Sequence, residues 1–157
     1  MDELKSKTVF VTNRGGTHPN RLFYFDSINA DYQYVDFKVR WHGTPAPKWK
    51  MLVSGIICAL TFPNRSKYKL FVTSDPQLPT VLMKFFFLLR KNQKIASYLG
   101  SQTLYFIYSG YYSKFTTFFY KFLLSKYDAH ICNGNVQKML LQKIINVPEH
   151  KVFVNFN

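Results

Sequence analysis

The sequence predicts an α/β domain whose strands form a mostly parallel, doubly wound sheet of about six strands, with helices on both faces. Two observations point there. Short β-rich runs alternate with longer helical patterns along the whole chain. The strand runs are short and mostly apolar, as strands covered by helices above and below must be. A length of 157 residues makes one domain, spanning 1–157, the natural expectation. The hydrophobic fraction of 47% supplies its core and excludes a disordered chain.

The elements follow in order. Thr8 to Thr12 reads as a buried strand closed by the turn residues Asn13-Arg14-Gly15-Gly16. A helix is expected from about Pro19 to Ile28. Tyr32 to Phe37 alternates and reads as a second strand. His42 to Pro47 is a loop, because its glycine and two prolines block regular structure. Lys48 to Thr61 is then helical, and Leu70 to Thr73 is a third strand. Ser74 follows as a cap with Gln77 as its reciprocal partner, or Asp75 caps with Pro76 in the first turn. That helix is expected to run to about Lys91. Ile95 to Leu99 is a fourth strand, Gly100 opens a polar and aromatic loop, and Tyr112 to Lys126 is a helix. Ala129 to Cys132 is a fifth strand. Asn133 is placed to cap a helix over Asn135 to Ile145, and Val152 to Val154 is a sixth strand. Consecutive parallel strands joined by helices imply right-handed crossovers, a Rossmann-like arrangement.

Charge narrows the partners. Lys and Arg number 21 against 8 acids, a net charge of +13. Such a chain attracts polyanions: an anionic membrane surface, a phosphorylated substrate or nucleic acid. The basic residues are dispersed rather than gathered in one arm, and no zinc finger, helix-turn-helix or ribonucleoprotein signature is present, so nucleic acid is disfavoured. Cys58 and Cys132 lie in apolar runs and read as reduced, buried thiols of a cytoplasmic protein. No signal peptide is apparent, and the longest apolar stretch, Met51 to Phe62, is too short to span a bilayer. The run from Tyr105 to Tyr127 sets Lys114, Lys121 and Lys126 among many rings. It suits peripheral contact with a membrane face, or equally an ordinary core helix with lysines on its wet side. Trp41, Trp49, Lys48 and Lys50 could add to that surface.

In an open α/β sheet, ligands gather beyond the carboxyl ends of the strands. The loop after the first strand is the richest there. Gly15-Gly16 lets backbone amides approach an anion, Arg14 adds charge, and Thr17 precedes a helix whose dipole favours phosphate. A tight turn without ligand explains the same glycines. The pattern is neither a dinucleotide fingerprint nor a P-loop. His18, Asn20 and His42 lie in strand-ending loops, where a histidine could serve as a base if a partner oriented it. Ser74, Asp75 and Gln77 follow the third strand, and Ser101 and Gln102 the fourth. The histidines and cysteines are too scattered for a metal set, and no serine sits in a nucleophile elbow. No metal or cofactor is expected.

The run Tyr127-Asp128-Ala129-His130-Ile131-Cys132-Asn133-Gly134-Asn135-Val136-Gln137-Lys138-Met139-Leu140 resembles the end of the first domain in family-four, retaining GT-B glycosyltransferases. The connector Asn146-Val147-Pro148-Glu149-His150-Lys151-Val152 is similar to the family's linker. Val154-Asn155-Phe156-Asn157 resembles the strand before its interdomain turn. Gly15-Gly16 matches the glycine-rich loop facing the donor phosphates, and His42-Gly43-Thr44-Pro45 an acceptor-side loop. The resemblance spans the chain and is most specific over its last thirty or so residues. It departs from many relatives after the fourth strand, where they carry a histidine or an acid and this chain has Tyr98-Leu99-Gly100-Ser101-Gln102.

The resemblance implies that the chain is the amino-terminal half of a transferase moving a sugar from a nucleotide-sugar to a lipid-linked, polysaccharide or other glycan acceptor. Arg14, Gly15, Gly16 and Thr17 would meet the donor phosphates. His18, Asn20, His42, Ser74, Asp75, Gln77, Ser101 and Gln102 would face the acceptor, and Asn133 and Asn155 the interdomain cleft. In the family a second domain supplies paired glutamates and most nucleotide contacts. That domain, or a partner subunit, is expected to be required for activity. The rival expectations are a non-catalytic Rossmann-like binding or regulatory module and, behind it, a basic nucleic-acid-binding protein.

Overall fold

The computed structural model describes residues 7–12, 31–34, 40, 41, 44, 45 and 47–155. The strands are β1 (Thr8–Thr12), β2 (Asp31–Tyr34), β3 (Arg40–Trp41), β4 (Thr44–Pro45), β5 (Leu70–Ser74), β6 (Lys94–Leu99), β7 (Ala129–Cys132) and β8 (Val152–Val154). The helices are α1 (Lys48–Leu60), α2 (Leu78–Phe85), α3 (Ser101–Tyr108), α4 (Lys114–Ser125) and α5 (Asn135–Ile145). The α/β class and the parallel pairing agree with the sequence expectation. The chain divides into two compact units, one of residues 1–71 and 78–94, the other of residues 72–77 and 95–157.

In the first unit β1 pairs in parallel with β2, Phe10 opposite Tyr32, and lies beside the start of β5. Arg40–Trp41 and Thr44–Pro45 form a short antiparallel pair where the prolines suggest only a loop. Pro45 sits at its end, a position where a missing N–H is tolerated. The core here is Val9, Phe10, Val11, Ala59, Phe62, Tyr68 and Phe71. The rings of Phe62 and Tyr68 meet Phe71 edge-on at 5.5 and 6.0 Å. Helices α1 and α2 pack together. Gln93 braces the turn before β5: its Nε2 donates to the Arg65 and Tyr68 carbonyls at 2.7 and 2.6 Å.

Helix α2 is shorter than its apolar pattern suggests. It begins at Leu78 rather than beside Ser74, with Pro79 in its first turn, where the lost N–H costs nothing. It stops at Phe85 rather than near Lys91, because the chain enters the left-handed region at Phe87, φ 55°. The Leu88 N–H donates to Met83 O, and the Phe87 N–H to Lys84 O, the crossed pair of a Schellman turn. Helix α3 ends in the same way. Tyr111 N–H donates to Phe106 O and Gly110 N–H to Ile107 O, with Gly110 at φ 73°. Glycine suits that position because it has no Cβ; phenylalanine does not. Phe87 is also 92% exposed, so its ring packs on little. Phe87→Gly is expected to stabilise the fold by about 1 kcal/mol. Urea denaturation of the two chains reads this directly, and a lower midpoint for the variant would refute it.

In the second unit the end of β5 is followed by β6, β7 and β8. The pairs β6–β7 and β7–β8 are parallel, with Ser97 opposite His130 and His130 opposite Val152. Strand β6 is buried from Ile95 to Leu99, as a strand covered on both faces should be. The core cluster joins Leu99, Leu104, Ile107, Leu124, Cys132, Leu140, Leu141, Ile144 and Val152. Helix α5 packs on α3, α4, β7 and β8. Helix α3 stands where the sequence predicts a loop after Gly100. Its Leu104 and Ile107 are one turn apart and buried, which anchors a segment otherwise made of poor helix formers. Helix α5 is capped by Gly134 with no side-chain bond, so Asn133 does not cap it. Its other end closes at Asn146 in the left-handed region, where asparagine is tolerated.

Neither cysteine forms a disulfide. Cys132 is buried, which pushes its pKa up to about 11, and Cys58 is half-buried. Among the described residues, no helix is long and apolar enough to cross a membrane.

Candidate functional site

The second unit lines up the carboxyl ends of four neighbouring strands. Ser74 and Asp75 leave β5. Gly100, Ser101 and Gln102 leave β6. Asn133 leaves β7, and Asn155 leaves β8. A row of parallel strand ends collects whatever polar groups the following loops carry, which is why such rows hold ligands.

Asp75 is the organiser of this row. Its backbone lies in the left-handed region at φ 60°, which aspartate accepts more readily than most residues. Its N–H donates to Tyr98 O at 3.0 Å. Its carboxylate Oδ1 accepts the Gly100 N–H at 3.1 Å. Its own carbonyl accepts the Thr73 hydroxyl at 2.8 Å. Asp75 therefore ties the end of β5 to the end of β6 rather than capping α2. A strained residue held by its surroundings at a strand end is a familiar feature of functional sites.

Tyr127 supports the same turn from below. Its hydroxyl accepts the Gln77 N–H at 2.9 Å and lies 2.9 Å from Thr73 Oγ1. Gln77 Nε2 reaches back to Ser74 O at 3.3 Å. The reciprocal Ser74–Gln77 cap is thus replaced by a longer turn, and both residues are buried. Pro76 explains the change: a cap at Ser74 would put Asp75, the residue before proline, in the helical region that such residues avoid.

Two phenols belong to this region. The Tyr112 and Tyr120 rings stack at 5.4 Å. Burial raises the Tyr120 pKa to about 12, with Tyr112 and the Asp75 charge adding to it. Tyr112 is raised by the same causes, burial first and Asp75 next. Both hydroxyls therefore stay protonated and can act as donors. Sequence reasoning marks neither tyrosine as a site residue. Their helical and loop positions give no sign that they share the field of Asp75.

The remaining candidates are spread along the row. Gln102 and Asn133 are exposed, and Ser101 opens α3. Asn155 is half-buried; its N–H donates to Cys132 O at 2.8 Å, and its Nδ2 lies 3.5 Å from Tyr98 Oη. Arg14, Gly15, Gly16, Thr17, His18, Asn20 and His42 lie outside the described residues. Among the described residues no group of histidines, cysteines and acids could hold a metal ion.

No family model matches the chain, no curated protein matches it, and no solved structure matches it.

Proposed function

We propose that this chain is the acceptor-side half of a two-domain GT-B glycosyltransferase, a Rossmann-like domain with helices on both faces of its sheet. The observation that supports it best is the row of polar strand ends in the second unit, organised by Asp75 and Gly100. Two members of the row, Asn133 and Asn155, lie in the stretch that most resembles the family. Asp75 and Gln102 would border an acceptor's hydroxyl groups, Asn133 and Asn155 would border the interdomain cleft, and the Arg14–Thr17 loop would face the diphosphate of a nucleotide-sugar. Catalysis in such a cleft comes from holding donor and acceptor together and stabilising the departing diphosphate. One half does neither well, so a second domain or subunit completes it. The reaction would run on the cytoplasmic side, with a glycan or lipid-linked acceptor.

The test is reconstitution. Any α/β domain found encoded downstream, or by an adjacent gene, is co-expressed with this chain, and transfer of radiolabelled sugar from UDP- and GDP-sugars is followed. The pair is expected to transfer sugar and the chain alone to do so at background. Asp75→Asn in the pair is expected to lower the rate about a hundredfold, the scale of a positioned acid or base, with the circular dichroism unchanged. A pair that neither transfers sugar nor binds any nucleotide-sugar would leave a non-catalytic binding module.

A further inference from the structure

Helix α4 has one face that the second unit does not cover. With residues advancing about 100° each around a helix, Phe118, Phe122 and Phe115 fall within an arc of roughly 60°. All three are exposed: Phe118 by 68%, Phe115 by 58% and Phe122 by 38%. The opposite side carries the buried Leu123 and Leu124, so the helix is firmly seated and the phenylalanine ridge points outward. Three exposed rings in a row on one helix are more than scattered surface apolarity.

The charges around the ridge are all of one sign. On the same wheel Lys114 and Lys121 flank it on one side and Lys126 on the other, and all three are exposed. Lys126 Nζ lies 5.0 Å from the Phe122 ring centre. From Ile95 to Tyr127 the sequence holds these 3 lysines and not one acidic residue. An apolar ridge bordered by lysines matches the boundary of an anionic bilayer. There rings enter the headgroup–acyl zone while ammonium groups stay at the phosphates. Tyr105, Tyr108 and Tyr111, exposed on and after α3, are of the type that sits at that level.

We propose that α4 docks this chain onto an anionic lipid surface by burying Phe115, Phe118 and Phe122 beneath the headgroups, with Lys114, Lys121 and Lys126 on the lipid phosphates. This does not rest on the transferase reading, and its test needs no sugar transfer. A protein partner would need acids to answer the three lysines, and a single strand that stacked its bases on the rings is told apart by the competition with RNA below.

The experiment is flotation of the full chain with phosphatidylcholine vesicles, with and without phosphatidylglycerol. The chain is expected to float only with the anionic vesicles and to release as salt rises, since screening weakens exposed charges. Phe118→Ser is expected to weaken vesicle binding roughly tenfold. Each of Lys114→Ala, Lys121→Ala and Lys126→Ala is expected to weaken it about fivefold. These side chains are exposed, and an unchanged thermal midpoint confirms that the variants fold. In parallel, Phe118→Trp is expected to gain a blue-shifted emission component on adding anionic vesicles. Equal flotation of parent and Phe118→Ser overturns the proposal. So does an emission of the Phe118→Trp variant that is already blue-shifted in a dimer before lipid is added, or anionic binding that a single-stranded RNA displaces from parent and Phe118→Ser alike.

Discussion

Leu124→Ala is expected to destabilise the fold by about 2–5 kcal/mol, the range for removing a buried leucine from a close-packed core. Leu124 is 0% exposed and belongs to the cluster that joins α3, α4, α5, β6, β7 and β8. Truncation removes buried methyl groups and leaves a cavity whose walls are held by separate elements, so little collapse can relieve it. Phe118 provides the control on the same helix. It lies on the outward face, and Phe118→Ser should change stability by less than about 0.5 kcal/mol. Urea unfolding of the parent and both variants decides the matter. Equal losses from the two would mean that the outward face of α4 is packed, and would remove the basis for lipid docking as well. A small loss from Leu124→Ala would mean that the second unit is loosely packed.

That contrast also shows what the sequence can and cannot reveal. Strands β1, β6, β7 and β8 and helices α1, α4 and α5 are legible, because each is a run of one clear period bounded by turn residues. Ala129–Cys132 and Asn135–Ile145 fall where the pattern places them. Helix α3 is not legible. Its Ser, Thr and Tyr residues favour a loop locally, and only the tertiary burial of Leu104 and Ile107 makes it helical. The end of α2 is hidden for a related reason. Lys84 to Lys91 has no glycine or proline, and the chain nonetheless turns at a phenylalanine in the left-handed region.

At the site, the strand ends can be located from sequence, since they follow from the alternation of strand and helix. The roles of their residues cannot. Ser74, Asp75 and Gln77 have the spelling of a capping box, and the local rule assigns them that role. Asp75 instead reaches across to Gly100, 25 positions away, and Tyr127 reaches Gln77 from 50 positions away. Such contacts depend on which strands are neighbours, which a local pattern does not encode. The face of α4 is ambiguous in sequence for the same reason. A ring-rich helix with lysines can bury its rings or present them, and only packing on α5 and the core decides which residues point inward.

Acid should find its weakest point at His130. The side chain is 1% exposed on β7, paired across the sheet with Ser97 and Val152. Ser97 Oγ lies 2.7 Å from Nδ1, and the Tyr127 ring centre 6.1 Å from that of the imidazole. Burial, with a smaller contribution from the Lys151 charge, lowers its pKa from 6.5 to about 4. The folded chain therefore keeps His130 neutral down to about pH 4, while the unfolded chain protonates it near pH 6.5. Between those values the unfolded state holds the extra proton, so stability falls as pH falls. Above about pH 6.5 both states are neutral and His130 contributes no slope. A shift of this size corresponds to about 3 kcal/mol lost across the window, at roughly 1.4 kcal/mol per pH unit. His130→Gln removes the titration while keeping a polar group beside Ser97. Its unfolding free energy, measured by urea at steps from about pH 7.5 down to about pH 4.5, is expected to fall less steeply than that of the parent chain. Equal slopes would show that His130 gains its proton without unfolding, and that the space between β6 and β8 admits a charge that its burial argues against.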